Sequence, residues 1–310
     1  MSHPSPVGVL LMAYGTPNTI DEVEQYYINV RGGRMPTPEQ VANLTSRYQA
    51  VGGHTPLTEL TRQVTAKLQV QLDTAAPGSY RVYFGMKYWT PFIPDVVKQM
   101  HADGIRTIIG LALAPHYSKI SIGGYKKQVE RAQEDLASEI SLRMVESFQA
   151  QPKFRQMIAE RITEGLQKFP EAVRNQVSVL FSAHSLPERV LAWGDPYPQE
   201  LNTSAEGIAA MLELHDWRFT YQSQGETGDP WLGPDVLDTL EVMAAEGKKY
   251  ILQVPFGFVS DHLEILYDID IECKHKAQSL GMQLERIRLP NADTEFIDLL
   301  ATIVLEQPAE

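Results

Sequence analysis

The stretch VGVLLMA, residues 7–13, is an uninterrupted apolar run that leads directly into Tyr14. A second run, VSVLFSA at residues 177–183, leads into His184, and it repeats Val, Val, Leu and Ala at matched positions. Runs of this kind are typical of strands that are buried on both faces of a parallel sheet. The match predicts that the two halves of the chain repeat one architecture.

Working outward from these two runs, strand-like segments alternate with helical patterns along almost the whole chain. The predicted strands are 7–13, 80–86, 106–114, 142–146, 177–183, 218–222, 250–255 and 283–288. Four helices are predicted to begin at residues 19, 37, 55 and 91. Five more are predicted to span 126–137, 198–214, 234–246, 261–280 and 294–306. Such alternation is typical of parallel sheets covered by helices on both faces. The sequence therefore predicts an α/β fold of two Rossmann-like, doubly wound halves, each with a four-stranded parallel sheet.

The predicted domains are 1–150 and 151–310, with the last helix able to pack across the halves. Capping boxes are predicted over 19–22 and 185–188, where a hydroxyl residue precedes Glu by three positions. Thr37 precedes a proline at the first helical position, and Thr55 is predicted to be an N-cap.

The composition excludes several classes of protein. The chain has 310 residues, 43% hydrophobic content and a formal net charge of −12, which argues against non-specific nucleic-acid binding. Its single cysteine, Cys273, cannot form an internal disulfide, a four-cysteine zinc site or an iron–sulfur cluster. Residues 1–6 show no signal peptide and no apolar run is long enough to span a membrane, so cytoplasmic residence is expected.

Tyr14 and His184 stand at the carboxyl ends of equivalent predicted strands. Ligands of open α/β sheets bind outside such ends. If the halves face each other, both rings point into one cleft. A histidine that merely packs at a strand–helix turn is the plain alternative, but the strand-end position favours function.

A row of carboxylates, Glu264, Asp268 and Glu272, recurs every four residues within the predicted helix 261–280. On an α-helix these side chains share one face, about 6 Å apart along the axis. Apolar neighbours make the row half-buried, and hard divalent cations prefer such oxygen ligands. A solvated acidic face is the alternative.

Three arginines, Arg31, Arg34 and Arg47, precede Thr55 and are natural partners for carboxylates. The stretch 221–235 reads as a rigid loop around Trp231. No phosphate-binding glycine loop opens the first helix, which disfavours a dinucleotide cofactor.

These residues lie in motifs that resemble those of the ferrochelatases, in particular the short Gram-positive type that acts on coproporphyrin III. The matching segments are LMAYGTP (11–17), VGG (51–53), LAPHYS (113–118), SAHSLP (182–187), GDPYP (194–198), the Trp231 loop and DHLE (261–264). The resemblance covers nearly the whole chain. It implies a chelatase-like fold with a porphyrin cleft between the halves.

The resemblance also implies roles for individual residues. His184 and Glu264 match the catalytic pair that contacts Fe²⁺ at the insertion site. Tyr14 matches the tyrosine that is axial to iron in the product, on the other side of the macrocycle. Asp268 and Glu272 match an acidic ridge that passes metal and is able to hold a second cation such as Mg²⁺. The porphyrin and its propionates are expected to contact Arg31, Arg47, Tyr48, Thr55 and Tyr125.

Three departures from the family pattern stand out: Tyr88 replaces a histidine, Thr55 replaces a serine, and Gly32 replaces a basic residue. The expected activity is Fe²⁺ insertion into coproporphyrin III, a lyase reaction of haem biosynthesis that needs no cofactor and treats Fe²⁺ as a substrate. The partners expected are the two substrates and, transiently, the next haem-pathway enzyme. A monomer is expected, without nucleic acid or membrane insertion.

Four alternatives stay open at this point: a ferrochelatase specific for protoporphyrin IX, a cobalt or sirohydrochlorin chelatase, a non-catalytic porphyrin or haem carrier, and a two-lobed small-molecule binding protein.

Overall fold

The computed structural model describes residues 5–136, 140–225 and 228–308. Residues 1–4, on which part of the signal-peptide prediction rests, lie outside this range. Ala137, the predicted end of a helix, and two residues of the predicted loop, Glu226 and Thr227, also lie outside it.

All eight predicted strands are present, and none of their ends shifts by more than two residues. They are β1 (Val7–Ala13), β2 (Tyr80–Met86), β3 (Thr107–Ala112), β4 (Ser141–Val145), β5 (Val177–His184), β6 (Trp217–Gln222), β7 (Tyr250–Val254) and β8 (Gln283–Arg286). The α-helices of the described residues are α1 (Val23–Val30), α2 (Pro38–Ala50), α3 (Leu57–Ala75), α4 (Ile93–Ala102), α5 (Ile122–Asp135), α6 (Pro152–Leu166), α7 (Arg189–Ala192), α8 (Tyr197–Met211), α9 (Val236–Ala245), α10 (Lys274–Ser279) and α11 (Thr294–Leu305).

Two departures from the predicted helices matter. Helix α6 was not predicted, although Pro152 occupies its first position. The predicted helix 261–280 is a π-helix over Glu264–Cys273 followed by the short α10. The expectation of one continuous α-helix there was wrong, because hydrophobic spacing does not distinguish i→i+4 from i→i+5 hydrogen bonding over so few turns.

The chain divides into two units, Met1–Phe148 with Pro290–Glu310, and Gln149–Leu289. The first unit contains a parallel sheet in the order β2-β1-β3-β4. Its central strand β1 is buried over six of its seven residues, as the apolar run predicts. Side chains of α4 and α5 pack with this sheet into one core.

Helix α11 belongs to the first unit, although it comes last in the chain. Lys67 of α3 donates a hydrogen bond of 2.6 Å to the carbonyl oxygen of Ala292, and Gln71 donates one of 2.5 Å to Asp298 of α11. The apolar face of α11, with Phe296 and Leu300 fully buried, completes this packing. The second unit therefore ends earlier than the predicted domain 151–310.

The second unit contains a parallel sheet in the order β6-β5-β7-β8. Its order corresponds to that of the first sheet, with β5 taking the place of β1. The predicted fold class of two four-stranded parallel sheets within an α/β architecture is confirmed. Among the described residues, no helix is long and apolar enough to cross a membrane.

Helix starts follow the predicted caps only in part. Thr37 accepts from the backbone of Gln40, whose side chain accepts in turn from the backbone of Thr37. The box predicted over 19–22 was wrong, because Glu22 accepts from Asn18 and the hydroxyl of Thr19 caps nothing.

Candidate active site

His184 is the last residue of β5, beside Gln222 of β6. Its Nδ1 contacts the carbonyl oxygen of Ser185, and a carbonyl can only accept, so Nδ1 carries a proton. Its Nε2 lies 3.3 Å from Oε1 of Glu264. In the neutral ring Nε2 therefore presents a lone pair that can take up a proton or bind a metal ion.

Glu264, the first residue of the π-helix, lies between two imidazoles. Its Oε2 is 3.3 Å from Nε2 of His262, whose Nδ1 donates to the carbonyl oxygen of Ser260 over 2.9 Å. His184, Glu264 and His262 together form what we call the His–Glu–His group. About 31% of the His184 side chain and 29% of the Glu264 side chain are exposed, so a ligand can reach both.

The charges within this group stabilise one another. Burial alone would raise the pKa of Glu264, but the adjacent His184 and His262 outweigh it and hold that pKa well below its usual range. Burial alone would lower the pKa of His184, but the charge and hydrogen bond of Glu264 outweigh it and raise that pKa. The pKa of His262 is raised in the same way, against its burial. The group thus holds an ionised carboxylate between two basic rings.

Aromatic side chains surround His184. The ring of Trp231 lies 6.4 Å from the His184 ring, and the ring of Phe258 lies 6.4 Å from His184 and 4.8 Å from His262. These rings border the partly exposed group and lower its local polarity, which strengthens its electrostatic interactions.

Hydrogen bonds from neighbouring motifs fix the end of β5. The Tyr197 hydroxyl donates to the carbonyl oxygen of His184 over 3.0 Å, and Asp195 accepts from the Tyr197 backbone over 3.1 Å. Ser185 donates its hydroxyl to the carbonyl oxygen of Leu232 over 2.7 Å. The capping box predicted over 185–188 was therefore wrong, because the Trp231 loop binds the Ser185 hydroxyl instead.

The three carboxylates of the acidic row differ in exposure along the π-helix. Glu264 is partly exposed, Asp268 is buried, and Glu272 is exposed. Asp268 accepts a hydrogen bond from the hydroxyl of Ser223, a residue in the left-handed region with φ of 59°. Within the described residues, no three His, Cys, Asp or Glu side chains form a group that could hold a metal ion. A second cation on Asp268 and Glu272 stays a prediction.

In the first unit, Tyr14 follows β1 and is 42% exposed. Gly15 then adopts a φ of +98°, and a Cβ there would lie 2.9 Å from the backbone nitrogen of Trp89, so only glycine fits. This turn exposes the Tyr14 ring, which meets the edge of the Tyr88 ring with centroids 4.7 Å apart.

Lys87 connects Tyr88 to Tyr125. Its Nζ lies 5.2 Å from the Tyr88 ring centroid and 5.1 Å from that of Tyr125, and it donates to the carbonyl oxygen of Ile120 over 3.2 Å. Burial lowers the pKa of Lys87 to about 8. Tyr14 and Tyr125, which the sequence placed in the site separately, are thus linked through Tyr88 and the Lys87 ammonium.

A hydroxyl network joins two more predicted residues. Thr16 lies 3.0 Å from the Tyr48 hydroxyl and 2.9 Å from the Thr55 hydroxyl, and all three residues are buried. Thr55 was wrongly predicted to be an N-cap, because α3 begins at Leu57 after Pro56 and the Thr55 hydroxyl bonds Thr16 instead.

Arg31 ends α1 and lies over the Tyr27 ring at 5.5 Å. Its Nε is buried and has no hydrogen-bond partner among the described residues. Arg34 donates to the carbonyl oxygen of Arg31 over 3.2 Å, and Arg47 lies in the last turn of α2.

The structure therefore brings His184 and Glu264 into contact within the second unit, and links Tyr14 with Tyr125 and Tyr48 with Thr55 within the first. Three contributors were missed. His262 lies two residues before Glu264 and could have been found as a second histidine of the same motif. Thr16 lies within the matching segment 11–17 and could have been found there, whereas Lys87 carried no signal, because only the fold shows its neighbours.

The fold defines the class first. It is similar to that of the sirohydrochlorin chelatase SirB of Bacillus subtilis subspecies spizizenii, solved with cobalt, with a TM-score of 0.57 and 10% identity over 97% of this chain and 94% of that one. The two parallel sheets of this chain thus belong to a chelatase-like fold.

The sequence then defines the family: the chain belongs to the ferrochelatases, whose family pattern it matches over residues 6–308. It is 75% identical over 299 residues to the ferrochelatase of Herpetosiphon aurantiacus, covering 96% of this chain and 98% of that one. It is 42% identical over 301 residues to the coproporphyrin III ferrochelatase of Anoxybacillus flavithermus, covering 96% and 95%. The chain is thus an enzyme of haem biosynthesis, a lyase that inserts a metal ion into a porphyrin.

Proposed function

We propose that this ferrochelatase inserts Fe²⁺ into coproporphyrin III, with the His–Glu–His group as the insertion site. The observation that carries the proposal is the carboxylate of Glu264, which begins the π-helix and lies 3.3 Å from both imidazoles beside the partly exposed end of β5. The described side chains form no three-ligand metal site, but an imidazole nitrogen and a carboxylate oxygen of this group suit a transient contact with divalent iron, and the group also supplies a base that can accept a pyrrole proton.

Insertion exchanges two pyrrole protons for one Fe²⁺ ion and leaves the oxidation state of iron unchanged, so no redox cofactor is required. We assign acceptance of the first proton to Nε2 of His184, whose basicity the Glu264 carboxylate increases, and release of the second proton to solvent water at this partly exposed site. As the imidazolium forms, the same carboxylate stabilises it across the 3.3 Å contact. Proton acceptance of this kind typically contributes about 10²- to 10⁴-fold to a rate.

The preference for coproporphyrin III is supported by the first unit. Coproporphyrin III carries four propionates, and each needs a cation or hydroxyl as a partner. Arg31 has a buried Nε without a partner among the described residues, which suits a carboxylate oxygen. We assign propionate contacts to Arg31 and Arg47. The other three expected contacts, Tyr48, Thr55 and Tyr125, are buried in this structure and stay predictions. The identity of 42% to a coproporphyrin III ferrochelatase supports the same substrate.

We assign to Tyr14 the role of oxygen ligand to iron in the product. Its ring is 42% exposed at the end of β1, and the edge contact with Tyr88 fixes its orientation. Tyr88, at a position where a histidine was expected, thus serves as a packing partner for Tyr14.

The substrate is tested by anaerobic insertion assays with Fe²⁺ and either coproporphyrin III or protoporphyrin IX, following the loss of free-base absorbance. We expect kcat/KM to be higher for coproporphyrin III. A preference for protoporphyrin IX would contradict the substrate while keeping the enzyme class. Binding of both porphyrins without insertion of iron into either would contradict the assigned insertion site.

A further inference from the structure

Arg286, the last residue of β8, connects the two sides of the segment that contains Glu264. Its Nε and Nη2 donate to the two carboxylate oxygens of Asp270 over 2.8 and 2.9 Å. Its Nη2 also lies 3.1 Å from Oδ1 of Asp261, and only 16% of its side chain is exposed. The guanidinium of Arg286 therefore binds Asp261, which precedes His262, and Asp270, which lies within the π-helix.

The segment between these two contacts is an unusual piece of backbone. π-Helical hydrogen bonding normally occurs as a single turn inside an α-helix, whereas Glu264–Cys273 maintains it over ten residues. On its inner face, Ile265 and Ile269 pack against Leu289, three residues beyond Arg286. The end of β8 therefore contacts the π-helix through an ion pair, and the segment that follows β8 contacts it through apolar packing.

We propose that Arg286 is a positioning residue for iron insertion, which fixes the π-helix so that Glu264 reaches both His184 and His262. This inference rests on the proposed role of the His–Glu–His group. Arg286 does not contact that group itself, so its effect on turnover passes through the backbone of the helix.

The chemistry of the contact explains why arginine is needed. A planar guanidinium matches both oxygens of Asp270 and still reaches Asp261, whereas the ammonium of lysine is a single point charge. Each distance in the His–Glu–His group is 3.3 Å, so a small rotation of the π-helix would separate Glu264 from one of the histidines. A misplacement of about 1 Å in an active site can reduce a rate on the order of 100-fold.

The test compares Arg286→Met, which keeps an unbranched apolar stem and removes the guanidinium, with Arg286→Lys and Asp270→Asn. The matched control is Arg288→Met, because Arg288 lies two residues further on and forms an exposed ion pair of 2.8 Å with Glu164. Glu264→Gln is measured in parallel. For every protein, kcat, the KM values for Fe²⁺ and coproporphyrin III, and the melting temperature are determined.

We expect Arg286→Met to reduce kcat by about 10- to 100-fold while the KM for coproporphyrin III changes less than about twofold. Arg286→Lys should recover part of the lost kcat. Asp270→Asn should reproduce part of the loss, although asparagine has nearly the same size as aspartate. Arg288→Met should leave kcat unchanged.

Two results would overturn the inference: an unchanged kcat in both Arg286→Met and Asp270→Asn, or losses of kcat that only follow a lowered melting temperature and that Arg286→Lys does not relieve. If Glu264→Gln abolishes insertion while Arg286→Met and Asp270→Asn do not, the inference alone fails. If Glu264→Gln keeps full turnover, the proposed insertion site fails as well.

Discussion

Replacing Glu264 by Gln removes one charge from the His–Glu–His group and nearly preserves the shape of the side chain. The carboxylate lies 3.3 Å from Nε2 of His184 and 3.3 Å from Nε2 of His262. At an effective dielectric constant of about 20, one such pair attracts by about 5 kcal/mol before solvation costs are subtracted. A shift of one pKa unit corresponds to about 1.4 kcal/mol. One third of the attraction between Glu264 and His184 would therefore already shift the pKa of His184 by more than about one unit.

The direction of the effect on turnover follows from the raised pKa of His184. Below that pKa, about 9, the ring is an imidazolium, which repels Fe²⁺ and cannot accept a pyrrole proton, so turnover of the unmodified enzyme should rise as the pH approaches 9. In Glu264→Gln the pKa of His184 falls, and the rise should begin at least about one pH unit lower. The plateau should fall by about 10²- to 10⁴-fold, because the carboxylate no longer stabilises the imidazolium formed during proton transfer.

The assay is anaerobic insertion of Fe²⁺ into coproporphyrin III, with kcat measured from pH 6 to pH 9.5. The control is Glu246→Gln, which removes an exposed carboxylate that pairs with Arg218 in the same unit. The control should keep both the plateau and the pH profile. An unchanged pH profile in Glu264→Gln, or an unchanged plateau, would refute the assigned coupling between Glu264 and His184.

Two further substitutions test the acidic row and the hydroxyl network. Glu272→Ala removes the exposed end of the row, so the KM for Fe²⁺ should rise several-fold while the KM for porphyrin is unchanged; an unchanged KM for Fe²⁺ would remove the row from the mechanism. Thr16→Val deprives Tyr48 and Thr55 of one buried hydrogen bond each, so urea unfolding should show a loss of about 1–3 kcal/mol. Thr58→Val is its control, because the buried Thr58 hydroxyl has no hydrogen-bond partner among the described residues, and equal losses in the two variants would contradict the network.

The sequence predicted the strands well because burial on both faces leaves a direct mark on composition. The run at residues 7–13 forms the central strand of its sheet, and its counterpart at 177–183 occupies the equivalent position in the second sheet. These two strands also predicted that Tyr14 and His184 lie at strand ends. Ligands of parallel sheets bind outside the carboxyl ends of the strands, so both residues were candidates for the site.

Hydrogen bonds between distant segments could not be predicted in the same way. The Ser185 hydroxyl has a cap-like spacing to Glu188, but the carbonyl oxygen of Leu232, 47 residues away, accepts it instead. Likewise, Thr55 reads as a cap until the fold brings Thr16 within 2.9 Å of it. A local pattern describes what a side chain can do, whereas the fold decides between its local and distant partners.

The π-helix is the clearest case of a feature that composition does not show. The four-residue spacing of Glu264, Asp268 and Glu272 suits an α-helix, and nothing in it indicates the wider turn. We attribute that geometry to contacts from outside the segment, including those of Arg286 with Asp261 and Asp270.

The central claim is that His184 is the base and metal contact of iron insertion. The most direct measurement is the rate of Fe²⁺ insertion into coproporphyrin III by His184→Ala, together with the affinity for free coproporphyrin III from fluorescence quenching. We predict that insertion falls by at least about 100-fold while the porphyrin affinity stays within about threefold of that of the unmodified enzyme. Retained insertion by a folded His184→Ala protein would contradict the claim.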